Sequence, residues 1–105
     1  MPNYGSAVVP RDKIRQYYLK PGTNHFEDFA EVGYTAKHAK RLEQDLLDGL
    51  KENNVVLRIE DERGMLYTVY MELGITKKRT FLTAWIIEKG GPPRNITAYR
   101  RERPK

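Results

Sequence analysis

The chain has 105 residues, 39% apolar and 31% charged, with a net charge of +5 and no cysteine. That length accommodates one domain around one core, and the lack of cysteine excludes disulfide staples, thiolate nucleophiles and zinc centres built on thiolates. No run is apolar over the roughly 20 positions that a membrane helix needs, and Met1-Pro2-Asn3-Tyr4-Gly5-Ser6 lacks the basic-then-apolar order of a secretory signal. The expected location is cytoplasmic, or within a larger secreted protein that carries the chain out, and no membrane contact is expected.

Residues 1–8 are small and polar apart from Tyr4 and read as a flexible or extended arm. Pro10 can open a first helix, because its missing N–H would be unpaired there anyway, and Asp12 then sits favourably near the positive end of the helix. Ile14, Tyr17 and Tyr18 recur at helical spacing, and Pro21-Gly22 stops the run. Thr23 or Asn24 can cap a second helix with Phe26, Phe29 and Ala30 on one side and Gly33 as a left-handed terminator. Thr35 caps a third, whose stripe of Ala36, Ala39, Leu42, Leu46, Leu47 and Leu50 is the strongest periodic signal in the chain. Asn53-Asn54 end it.

From Val55 the period changes to two. Val55, Leu57 and Ile59 alternate with Val56, Arg58 and Glu60, and Asp61 to Gly64 make a turn. Met65–Leu73 and Thr80–Glu88 follow as strands, the latter apolar on both faces and so expected at the sheet centre. Gly90-Gly91-Pro92-Pro93 is a loop, and Asn95–Tyr99 a short last strand. Short connections favour antiparallel neighbours. The expected fold is α+β, with three N-terminal helices packed on a four-stranded antiparallel β-meander. It comprises an arm over 1–8, a single domain over 9–100 and a basic tail over 101–105.

Charge is divided unevenly. Residues 76–105 hold nine basic side chains against Glu88 and Glu102, a net +7, which leaves −2 for the first 75. A basic block on one end of a small domain is the electrostatic footprint of a polyanion partner. Lys20, Lys77, Lys78, Arg79, Lys89, Arg100 and Arg101 are the candidate nucleic-acid contacts, although a basic surface also serves solubility alone.

The chemistry narrows by exclusion. Two histidines, His25 and His38, thirteen positions apart and without HExxH or EF-hand spacing, point to no metal site. Gly90-Gly91 runs into two prolines and cannot present a row of amides to a nucleotide phosphate. No G-x-S-x-G marks an acyl-transfer serine. No cofactor is expected. What remains is the set that RNA cleavage without metal requires: a base for the 2′-hydroxyl, donors for the phosphate and an acid for the leaving oxygen. His25, Arg94, Thr97 and Tyr99 are the candidates. Period-two spacing puts Asn95, Thr97 and Tyr99 on one face, with Arg94 at its mouth suited to a forked phosphate contact. Each also has an ordinary role: Thr97 and Tyr99 are common strand residues, Arg94 suits a turn, and His25 suits a helix start.

Two segments carry a family resemblance. Val9-Pro10-Arg11-Asp12-Lys13-Ile14, Tyr18-Leu19-Lys20-Pro21, His25 through Phe29 and Gly33-Tyr34 resemble the front half of a small bacterial family of unknown function associated with polymorphic toxins. Thr83-Ala84-Trp85-Ile86-Ile87, the glycine turn and Pro93-Arg94-Asn95-Ile96-Thr97-Ala98-Tyr99 resemble its back half. The closing hairpin is also similar to that of the barnase/RelE/colicin-type ribonuclease fold. That likeness implies a metal-independent, toxin-like endoribonuclease acting on RNA, with Arg94, Thr97, Tyr99 and His25 at its centre. The alternative is a non-catalytic interaction module that binds RNA or an acidic immunity or antitoxin protein. Oligomeric state is left open.

Overall fold

The computed structural model describes residues 1–104; Lys105, the end of the expected basic tail, lies outside the described residues. Helix α1 runs as α-helix over Arg11–Lys13 and widens to π spacing over Ile14–Tyr18, where the Leu19 amide donates to the Ile14 carbonyl at 2.9 Å. Helix α2 is Phe26–Glu31, and α3 is Ala39–Glu52, entered through a 3₁₀ turn at Ala36–His38. Strands β1 Val55–Asp61, β2 Gly64–Leu73, β3 Arg79–Ile87 and β4 Arg94–Arg100 form one antiparallel sheet in the order β1-β2-β3-β4. The fold is therefore α+β, with short helices preceding a four-stranded meander.

The helices end where local chemistry dictates. Gly33 takes φ 100°, letting its own amide bond Ala30 and the Tyr34 amide bond Phe29, at 3.0 and 3.1 Å. These two bonds are the glycine terminator of α2. Tyr34 then meets Phe29 edge-on, with ring centroids 6.1 Å apart. The start of α2 differs from expectation. His25 occupies the N-cap position without a side-chain cap, because Thr23 uses its hydroxyl to close the preceding turn onto the Tyr17 and Lys20 carbonyls. At the third helix Thr35 is the cap, and its backbone amide donates to His38 Nδ1 at 2.9 Å.

One face of the sheet packs on the helices. Leu42, Leu46 and Leu50 of α3 meet Tyr67, Val69, Met71 and Leu73 of β2 in a core shared with Phe29, Phe81 and Trp85. Gly49 brings α3 close to the sheet, since a Cβ there would lie 2.4 Å from Met71 Sδ. The Trp85 indole N–H donates to Thr83 Oγ1 at 2.9 Å, and that hydroxyl donates to the Val69 carbonyl at 2.7 Å. Trp85 is thus fully buried with its polar group satisfied.

Two bulges break the period-two reading. In β1 the pairing shifts between Val55 and Leu57, so Val55 packs against the core while Leu57 and Ile59 pair with Thr68 and Leu66 on the opposite face. In β4 the shift falls at Ile96. Asn95 and Ala98, three apart, pair with Trp85 and Thr83 and are both fully buried. Asn95 therefore does not share a face with Thr97 and Tyr99, as unbroken alternation would have it.

Both termini are held by contacts. Val8 forms a parallel bridge with Arg94: its amide donates to the Pro93 carbonyl at 2.8 Å, and its carbonyl accepts from Asn95 at 2.9 Å. After β4, the Arg103 guanidinium lies 5.9 Å from the Tyr70 ring centroid and donates to Asn53 Oδ1 at 3.2 Å. Overpacking at the α3–β2 contact should be costly. Gly49→Val is expected to lower unfolding free energy by about 1–3 kcal/mol, measured by urea titration; an unchanged midpoint would mean that Met71 moves aside freely.

Candidate functional site

The bulge of β4 organises a chemically varied cleft. Tyr18, at the end of α1, donates its hydroxyl to Asn95 Oδ1 at 2.5 Å, and Asn95 Nδ2 donates to the Ala84 and Thr97 carbonyls at 3.2 and 3.1 Å. Every polar atom of this buried side chain pair is engaged. The bulge leaves the Ile96 carbonyl without a strand partner, and Lys13 Nζ donates to it at 2.8 Å. Burial, and after it the positive charge of Arg94, hold the Lys13 ammonium below the usual lysine range. Burial pushes the Tyr18 hydroxyl well above the usual phenol range.

Around this anchor lies a cleft of about 240 Å³ lined by Lys13, Tyr17, Tyr18, Thr23, Asn24, His25, Ile96 and Thr97. The imidazole of His25 stacks on the Tyr99 ring, with centroids 5.2 Å apart and planes at 20°. Tyr17 is 61% exposed, so its ring is open to a ligand rather than committed to the core. Three of the four residues expected to act together, His25, Thr97 and Tyr99, thus meet although 72 positions separate His25 from Thr97 in the chain.

Arg94 stands apart from that group. Its guanidinium pairs with Glu88 at 2.6 Å and lines a neighbouring depression with Val8, Gly91 and Pro92. Its charge is nevertheless felt at Lys13. Lys13 and Tyr17, both missed in the sequence, occupy i and i+4 of the first helix; that spacing is the signal that could have placed them on one face.

The basic block is not one continuous patch. Arg100 and Lys77 converge on Glu31, at 2.5 and 4.0 Å, and the Arg100 backbone amide donates to Asp28 at 3.1 Å. Lys78 borders a depression containing Asp45, Asp48, Glu52 and Glu72. Arg79 folds back to the Lys78 carbonyl, and the Arg101 amide donates to that of Thr80. Lys20 is exposed beside the turn into α2, and Lys89 takes a left-handed conformation in the loop before β4. Among the described residues, no group of three or more His, Asp or Glu side chains is placed to hold a metal, and no helix is long and apolar enough to cross a membrane.

A family model described as a domain of unknown function (DUF6883) matches residues 1–102, and the chain belongs to that family. No curated protein matches it. Among solved structures, the fold is similar to one chain of a contact-dependent growth inhibition toxin–immunity protein complex from Klebsiella pneumoniae 342. The two superpose with a TM-score of 0.69 at 20% identity, covering 90% of this chain and 99% of that one.

The anchor should be visible in stability. Tyr18→Phe strands Asn95 Oδ1 in the interior and is expected to cost about 1–3 kcal/mol at pH 7. Tyr18 and Tyr34 both have raised folded-state values against 10.0 in the open chain. Their stabilisation is complete below pH 10 and is lost as pH rises beyond it, when the unfolded chain alone gives up those protons. Denaturant titrations should show stability falling above pH 10, with a shallower fall in Tyr18→Phe; equal slopes would contradict the assignment.

Proposed function

We propose that the domain is a toxin-like, metal-independent endoribonuclease whose active centre is the cleft between α1, the start of α2 and β4. The observation that carries this reading is the meeting of His25, stacked on Tyr99, with Thr97 and Lys13 in one cleft. These groups match the needs of intramolecular RNA cleavage. His25 takes the proton of the 2′-hydroxyl, whose oxygen attacks phosphorus. The Lys13 ammonium and Thr97 hydroxyl stabilise the charge gathering on the phosphoryl oxygens. Lys13 then gives a proton to the departing 5′-oxygen, leaving a 2′,3′-cyclic phosphate and a 5′-hydroxyl. A depressed lysine value favours that donation, since the proton is less tightly held. Tyr17 offers an exposed ring for a base to stack on, and Tyr99 fixes the plane of the imidazole. Arg94, freed from Glu88, is within electrostatic reach of the same phosphate.

Likeness to a chain from a toxin–immunity complex supports a second role for the same protein, binding of an acidic immunity or antitoxin partner. Arg94, at the start of β4, and Lys89, in the loop before it, are the cations for that contact, and an inhibitor seated there and reaching along β4 would also cover the cleft.

Purified protein is expected to cleave total RNA in EDTA and to leave cyclic phosphate ends. His25→Ala and Lys13→Met should each slow cleavage by roughly 100-fold or more with unchanged circular dichroism. His38→Ala, which removes the contacts of its ring to the Thr35 amide and hydroxyl, should keep full activity and cost about 1 kcal/mol of stability. RNA left intact after prolonged incubation, with binding retained, would replace this reading with that of a non-catalytic module.

A further inference from the structure

The two edges of the sheet are finished differently. Along β4 the outer edge is engaged at three places: Lys13 takes the Ile96 carbonyl, Asp28 takes the Arg100 amide and Val8 bridges Arg94. β1, at the other edge, has its six residues from Val56 to Asp61 exposed. Val56, Leu57 and Ile59 are 54%, 51% and 49% exposed, an apolar content unusual for a strand facing water on its open side. An open, apolar edge is a template for another strand.

We propose that β1 pairs antiparallel with β1 of a second copy of this chain, about a two-fold axis passing through Ile59. Face and charge select that register. Leu57 and Ile59 lie opposite Thr68 and Leu66 on the helix-free face, while Arg58 and Glu60 lie opposite Tyr67 and Met65 on the helix side. Directly opposed residues in an antiparallel pair share a face. An axis through a residue, rather than between two, therefore opposes residues of like face. It keeps both helix layers on one side and joins the two rows of Leu57 and Ile59. An axis at Arg58 sets Arg58 against itself, and one at Glu60 sets Glu60 against itself. An axis at Leu57 falls beside the bulge, where pairing is irregular.

Ile59 is the position that opposes Arg58 to Glu60 twice and sets an apolar side chain against its own copy. Asp61, which would face Leu57, has its carboxylate turned into its own hairpin, accepting from the Arg63 and Gly64 amides at 2.9 and 3.2 Å. It places no free charge on the joined row. The product is one continuous sheet of twice the four strands of the monomer. A contact of one strand pair and one aliphatic row is at the small end of specific interfaces, so the expected Kd is on the order of micromolar.

Sedimentation from about 1 μM to several hundred μM, bracketing that affinity, tests this on the whole chain. The wild type should pass from the 12.3 kDa monomer to twice that mass. Arg58→Glu, which sets Glu against Glu60, should weaken association by roughly 10-fold or more. Arg58→Glu combined with Glu60→Arg should restore it, and Ile59→Lys should abolish it, all with native circular dichroism. A wild type that stays monomeric throughout, an Arg58→Glu variant that associates normally, or a double exchange that fails to rescue would each overturn the proposal.

Discussion

The hydrogen bond from Tyr18 to Asn95 is the constraint around which the cleft is built. It joins the end of the first helix to the start of the last strand, 77 positions away, and lies wholly inside the protein. A buried amide is tolerable only when its donors and acceptor are engaged. Asn95 meets that condition through Tyr18 on one side and the Ala84 and Thr97 carbonyls on the other. Those two carbonyls flank the bulge, so the same side chain that ties down α1 also stabilises the irregularity of β4. From that irregularity follow the lone Ile96 carbonyl, the placement of Lys13, and the meeting of Thr97 with the residues that open α2.

A second constraint sets the distance between layers. Phe29 stands at the centre, with Tyr18 and Phe81 each at 4.9 Å between ring centroids and Tyr34 at its edge. Such tilted and edge contacts fix ring orientation as well as burial. The glycine terminator of α2 depends on the same ring, since Tyr34 reaches it only because Gly33 reverses the chain. The turn between β2 and β3 then docks on that reversal, with the Ile75 and Thr76 amides both donating to the Val32 carbonyl. The α2 helix is short, yet both the β4 edge and the β2–β3 turn are fixed to it.

Helix three, Gly33 and the buried Trp85 strand were legible from residue order, because each rests on local rules: apolar spacing, a left-handed glycine, an apolar run on both faces. The meander followed from short connections. The bulges were not legible. Asn95 to Tyr99 alternates in sequence and Val55-Val56-Leu57 is apolar throughout, and neither pattern reveals an extra residue whose partner lies on another strand. The candidate site was legible in part for the same reason. Residue chemistry singled out His25, Thr97 and Tyr99, but Lys13 owes its place to a carbonyl released by a bulge. The charge split was real in the sequence, yet Glu31 and Glu88 take up three of the cations counted in it. Net charge registers the totals and not the pairings.

The π-widened turn of α1 has a meaning for how this protein can vary. Over Ile14–Tyr18 the helix holds one residue more per turn than an α-helix would. Each residue of an α-helix rotates the following side chains by about 100°. In a regular helix a deletion would carry that rotation through to Tyr18. Removing one residue from Ile14–Tyr18 instead lets the turn relax to α spacing while the Leu19 amide still reaches the Ile14 carbonyl, so the buried hydroxyl stays on Asn95. The widened turn therefore absorbs a change of one residue in length without moving the anchor, and a relative lacking that residue can deliver the same hydroxyl to the same amide.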